Sequence, residues 1–120
     1  VVADVAEIAW MVKSGARRPG IQFAAHPPEV MGIEDVMSRY YFRFSALDRP
    51  GVLSRIAGIF GDHGISISGV IQKGRREGEA VPLVMLTHMA RERDVRTAVE
   101  KIKALDVVAG EPYYIRVEGE

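Results

Sequence analysis

The chain has 120 residues, 48% of them hydrophobic, with 16 Lys and Arg set against 16 Asp and Glu. That is room for one domain with an appendage and enough apolar content for a core, while the zero net charge removes the electrostatic footprint of a nucleic-acid binder. There is no cysteine, which excludes disulfides, thiolate metal sites and a cysteine nucleophile, and the three histidines, His26, His63 and His88, do not stand at metal-ligand spacing.

Val1, Val5, Ile8, Ala9 and Val12 recur at helical spacing, which predicts a helix stopped at Ser14-Gly15. Val2, Trp10 and Met11 widen its apolar surface beyond one stripe, so it wants partners on more than one side. Asp4 and Glu7 interrupt the apolar opening and no basic segment precedes it, so it does not read as a signal peptide. No run approaches the ~20 apolar residues of a membrane span, and the lack of cysteine fits a reducing compartment, so a cytoplasmic location is expected. The chain opens on Val1 rather than Met and is expected to be a piece of something longer. Residues 15–32 show no sustained period, with breakers at Arg17-Arg18-Pro19-Gly20 and His26-Pro27-Pro28. Residues 1–39 therefore read as the tail of an upstream region plus a connector, with one helical turn at 33–38.

From Tyr40 the pattern is regular. Tyr40, Phe42, Phe44 and Ala46 share one face of a strand, and Val52, Leu53, Ile56, Ala57, Ile59 and Phe60 form one helical stripe. A second strand places Ile65, Ile67 and Ile71 on one face and Ser66, Ser68 and Gln72 on the other, and Gly69 marks a bulge or a close neighbour. Residues 73–80 read as a long hairpin loop whose Arg75-Arg76-Glu77 tip is solvated. A third strand over 81–89 is apolar on both faces, with Val81, Leu83 and Met85 opposite Val84 and Leu86, so it should be covered on both. Val95, Ala98, Val99, Ile102 and Leu105 give the cleanest helical period, with Glu92 and Arg96 as an i,i+4 pair worth ~0.3 kcal/mol. Pro112 opens a last strand, with Tyr113, Ile115 and Val117 on one face and Tyr114 and Arg116 on the other.

Strand–helix–strand repeated twice is the ferredoxin-like βαββαβ plan of the α+β class. It predicts a four-stranded antiparallel sheet with two helices on one face, over residues 40–118. Its other face calls for a partner, most simply a second copy of the chain.

The chemistry concentrates between the first strand and its helix, at Leu47-Asp48-Arg49-Pro50-Gly51-Val52-Leu53. Pro50 suits a first helical turn, Gly51 permits close approach, and the amides of Gly51, Val52 and Leu53 would favour an anion. Asp48 could cap those donors or face an ammonium. Carboxylate and ammonium together describe a free amino acid, and a capped turn with no ligand is the competing reading. No acid/base pair, nucleophile setting or G-x-G-x-x-G sequence occurs, so no catalytic residue is assigned. His63 and His88 read as structural.

The run Leu47 to Leu53, with Ile56-Ala57, Phe60 and His63-Gly64-Ile65-Ser66-Ile67, resembles an ACT domain, a small regulatory module of metabolic enzymes. Ser38-Arg39-Tyr40-Tyr41-Phe42-Arg43, Val70-Ile71-Gln72-Lys73, Val84-Met85-Leu86-Thr87-His88 and the opening Val1 to Ala9 resemble the C-terminal region of homoserine dehydrogenases. That resemblance implies a parent enzyme interconverting aspartate semialdehyde and homoserine, with its NAD(P) site and catalytic residues upstream and no cofactor in this segment. It implies an amino-acid effector, threonine by family, and a homodimer through the sheet, with no nucleic-acid or membrane partner and no metal. Carried onto this sequence, the effector-binding positions are Asp48, Arg49, Pro50, Gly51, Val52, Leu53, Gly64, Ile65 and Ser66, with Gln72 added. Ser66 stands where many such domains carry Asn. An ACT domain of an aspartate kinase or of an acetolactate synthase regulatory subunit, or a module that only dimerises, are the alternatives.

Overall fold

The alternation that begins the regular part of the chain reaches further back than expected: β1 runs Met37–Leu47. In the computed structural model, residues 1–16 and 25–119 are described, and the chain divides into two units, Val1–Val30 and Met31–Glu120. Local pairing holds the early part of β1: Met37 and Ser38 pair with Arg91 and Ala90, and the Glu92 N–H donates to the Val36 carbonyl at 3.0 Å. In the first unit, α1 (Val2–Ser14) forms as its spacing predicts and buries none of its own residues. The breaker Arg17-Arg18-Pro19-Gly20 lies outside the described residues.

In the second unit a 3-10 turn, Ile33–Asp35, precedes β1. There follow α2 (Val52–Asp62), β2 (Ile67–Gln72), β3 (Ala80–Thr87), a two-residue β4 (Ala90–Arg91), α3 (Glu92–Lys103) and β5 (Val108–Val117). All pairings between strands are antiparallel, in the order β2-β3-β1-β5, and β4 lies against the start of β1. The fold is the ferredoxin-like one expected, with β4 as a fifth strand that periodicity could not reveal in two residues.

The core follows from the two periods. Tyr40, Phe42, Phe44 and Ala46 turn inward from β1 and are buried, and so are Val81, Leu83, Met85 and Thr87 from β3. Val52, Ile56 and Phe60 from α2 and Val95, Ala98, Val99 and Ile102 from α3 close over that face. Each large side chain buried this way contributes about 1.5–3 kcal/mol. Phe42 is the centre of the cluster, with ring centroids 4.9 Å from Phe60, 5.7 Å from Phe44 and 5.7 Å from Tyr114.

Two details depart from the sequence reading. The register between β2 and β3 shifts between Ile67 and Gly69, the bulge that Gly69 announced. The extra residue reverses the facing beyond it, so Ile71 pairs with Val84 on the helix-free face instead of sharing a face with Ile67. Gln72 pairs with inward-facing Leu83. At the other edge, β5 begins at Val108, not Pro112. Pro112 sits where the β1–β5 register shifts between Arg43 and Ser45, an irregularity on an edge strand that tolerates its missing N–H. The helix-free face carries Tyr41, Val84 and Leu86, with Ile71, Tyr113 and Ile115 exposed.

Candidate functional site

The turn after β1 is dictated by Pro50 and Gly51. The Val52 N–H donates to the Arg49 carbonyl at 3.3 Å, closing a four-residue turn with Pro50 and Gly51 in the middle. Gly51 has φ 86° and ψ −14°, the third position of a type II turn, where a side chain would be strained. Gly51 is therefore also the N-cap of α2, and no side chain caps that helix. The expectation that Asp48 caps it is not met. No protein group among the described residues accepts from the Leu53 or Ser54 N–H, so these first-turn donors stay open.

Asp48 turns instead toward the β2–β3 loop. Its Oδ1 accepts from Gln72 Nε2 at 3.1 Å, and its Oδ2 accepts from the Arg76 backbone N–H at 2.9 Å. Its own N–H donates to the Glu79 carbonyl at 2.9 Å, and its carbonyl accepts from the Gly78 N–H at 3.2 Å. A parallel bridge to Glu77 completes the contact. One half-buried aspartate thus fastens the loop to the turn through both backbone and side chain.

Three cavities adjoin it. One of about 50 Å³ is lined by Asp48, Arg49, Val52, Leu53 and Gln72, with Leu47 and Leu83 among its apolar walls. A second, of about 260 Å³, lies among Asp48, Arg49, Pro50, Arg75 and Glu77. A third, of about 270 Å³, lies among Asp48, Gln72, Gly74 and Arg75. A larger concavity, of about 610 Å³, is elsewhere, on the helix-free face around Tyr41, Arg43, Pro82 and Tyr113, and includes none of the sequence-derived site residues.

The structure therefore brings Asp48, Arg49, Pro50, Gly51, Val52, Leu53 and Gln72 to one corner. It does not bring Gly64, Ile65 and Ser66 there. They follow the far end of α2, whose 11 residues at ~1.5 Å each separate the two groups by roughly 16 Å. Gly64 takes φ 68°, Ile65 is buried in the core, and the exposed Ser66 accepts the His88 N–H on its carbonyl at 2.9 Å. Beside them, His63 Nε2 is buried without a hydrogen-bond partner among the described residues.

Sequence reasoning missed a second polar centre. Glu92, read only as half of an i,i+4 pair, is 3% exposed. Its Oε2 accepts from the Tyr40 hydroxyl at 2.5 Å and from Arg116 Nη2 at 2.9 Å, and its Oε1 accepts from Arg96 Nε at 2.9 Å. Burial pushes the Glu92 carboxyl upward, but the hydrogen bonds from Tyr40, Arg116 and Arg96 outweigh it and hold the carboxyl below its usual range. Burial, and then the bond to Glu92, push the Tyr40 hydroxyl up to about 12. Only the Arg96 spacing was visible in sequence; Tyr40 and Arg116 arrive through β1 and β5. Among the described residues no group of His, Asp or Glu is arranged to hold a metal, and no helix is long and apolar enough to cross a membrane.

The sequence profile of the ACT domain matches residues 40–107. The homoserine dehydrogenase of Synechocystis sp. is 37% identical over 98% of this chain, and that of Neisseria gonorrhoeae is 33% identical over 98%. The chain spans about 28% of the length of either relative. The crystal structure of a homoserine dehydrogenase from Thiobacillus denitrificans superposes with a TM-score of 0.71 at 37% identity, covering 98% of this chain and 27% of that one. The ACT domain from the GTP pyrophosphokinase of Chlorobium tepidum superposes with a TM-score of 0.51 at 14% identity over 67% of this chain and all of that one, a likeness of fold alone.

Proposed function

This chain belongs to the ACT-domain family, and on that premise we propose that it is the C-terminal, amino-acid-binding regulatory region of a homoserine dehydrogenase, with threonine as its effector. Residues 40–118 form the sensing module, and residues 1–39 are the end of the catalytic region and its connector. The observation that carries the reading is the corner at Asp48: a carboxylate for an ammonium beside a cavity of about 260 Å³, with open first-turn amides of α2 close by for a carboxylate. The similarity to homoserine dehydrogenases over nearly the whole chain supports the choice of parent enzyme.

Catalysis, the interconversion of aspartate semialdehyde and homoserine with NAD(P), falls to the rest of the parent protein, in the cytoplasm. This segment's residues bind and orient the effector. Occupancy acts by favouring one of two arrangements of a homodimer that joins through the sheet, by as much as its affinity for the two differs. Because Gly64, Ile65 and Ser66 lie at the far end of α2, they join the corner only if a second copy presents them.

Calorimetric titration of the chain with threonine and a panel of other amino acids tests the reading; a well-folded chain that binds none of them refutes it. Gly51→Val should abolish binding and leave a folded domain, since it strains the turn by about 1–2 kcal/mol while its Cβ meets no neighbouring atom. A second reading, a brace that dimerises and binds nothing, draws on the exposed Ile71, Tyr113 and Ile115 of the helix-free face. A strictly monomeric chain in sedimentation would remove it.

A further inference from the structure

We propose that Arg75, at the tip of the β2–β3 loop, is a ligand-binding residue of the Asp48 corner, where its guanidinium takes the carboxylate of an amino acid whose ammonium faces Asp48. The inference rests on the amino-acid-binding reading above and adds to it a residue outside the turn and the second strand.

Arg75 lines both of the larger cavities that adjoin Asp48. Its place there is set by the chain on either side of it. Gln72 and the Arg76 N–H both donate to the Asp48 carboxylate, and the Gly78 N–H and the Glu79 carbonyl engage the Asp48 backbone. The side chain between those anchors has no ion pair or hydrogen bond among the described residues, and the same is true of Arg49 across the cavity. The adjacent Arg76 differs: it pairs with Glu79 at 3.4 Å, as Arg55 pairs with Asp106 at 3.1 Å. Arg49 and Arg75 are thus two unpaired arginines that line one small cavity.

The charge pattern selects the ligand class. The cavity of about 260 Å³ is lined by two arginines, Arg49 and Arg75, and two acids, Asp48 and Glu77. That balance suits a small zwitterion and disfavours a polyanion such as a nucleotide. A carboxylate has about four acceptor sites on its two oxygens. Gln72 and Arg76 use one on each oxygen of Asp48, which leaves capacity for an ammonium. A guanidinium offers a planar fork that meets a carboxylate through two parallel bonds, which a lysine in the same place could not do.

The test is titration calorimetry of the chain and of Arg75→Gln with whichever amino acid of the panel binds, and with the carboxamide of that amino acid. Arg75→Gln should weaken the amino acid by about tenfold or more, the loss typical of one charge-assisted bond. The carboxamide should bind both proteins equally weakly, because it lacks the group that Arg75 reads. Arg76→Gln, which removes a cation already paired, should change affinity by less than about twofold. Arg75→Gln binding the amino acid as well as the unaltered chain overturns this inference alone. No binding to the unaltered chain overturns the amino-acid reading and this inference with it.

Discussion

Two carboxylates anchor opposite ends of β1, and they do different work. Glu92 meets Tyr40 near the strand's start; Asp48 follows its last residue, some 26 Å further on at ~3.3 Å per residue. Both draw together segments distant in sequence. Glu92 does so buried, with Tyr40, Arg96 and Arg116 taking up the acceptor capacity of its two oxygens, although a concavity of about 350 Å³ among Glu92, Tyr114, Ile115 and Arg116 opens beside it. Asp48 does so half-exposed, with one bond to each oxygen and three cavities beside it. The saturated carboxylate holds the fold together, and the unsaturated one is available for binding.

Substitutions at the two centres test that division. Glu92→Ala should have the largest effect on stability, about 3 kcal/mol in chemical denaturation, because it strips a buried hydroxyl and two guanidinium groups of their shared partner. It should leave effector affinity unchanged; a parallel loss of binding would show that the two centres are one unit. The carboxyl is held below its usual range in the folded chain. Its contribution is therefore present above the unfolded-state value and is lost as pH falls through the folded one, so the variant should also lack that part of the acid-side loss.

Tyr40→Phe comes next, at about 1–2 kcal/mol near neutral pH for one charge-assisted bond. Its signature lies on the alkaline side. The hydroxyl is raised from 10.0 to about 12, so its stabilisation is full below pH 10.0 and fades as pH climbs toward about 12. The phenylalanine variant should lose nothing in that window beyond what other groups contribute, and identical alkaline melting curves for the two proteins would contradict the assignment. The smallest effect on stability belongs to Asp48→Asn, about 0.5–1 kcal/mol, since an amide oxygen can still accept one of the two loop bonds. It should nonetheless remove most effector affinity in the same titration, where an unchanged affinity would place the ammonium elsewhere.

What could be read from sequence follows the same division. The stripes of α2 and α3 and the inward set Tyr40, Phe42, Phe44 and Ala46 were legible because burial writes itself at periods of 3.6 and 2. Ile71 was misplaced because one extra residue at a bulge inverts everything beyond it. Gly51 was legible as a special position, although as the φ-positive residue of a type II turn more than as an open approach. Asp48 was identified as a key residue and its partner Gln72 was assigned to the same site, but its other partner, Arg76, was not, since it lies 28 positions away. Glu92 was the real miss. Its spacing to Arg96 describes an ordinary solvated pair, and only the tertiary fold brings up Tyr40 and Arg116.

The Tyr40–Glu92 bond also fixes an order of events. It joins positions 52 residues apart, and Glu92 to Arg116 adds a further 24. Closing so long a loop carries an entropy penalty that earlier, more local contacts must already have offset. A centre that assembles after the rate-limiting step of folding acts chiefly on the rate at which the native chain opens, with little effect on how fast it forms. In stopped-flow measurements Glu92→Ala should steepen loss of the native state and leave refolding nearly as fast, which makes this buried carboxylate a determinant of how long the domain persists once made.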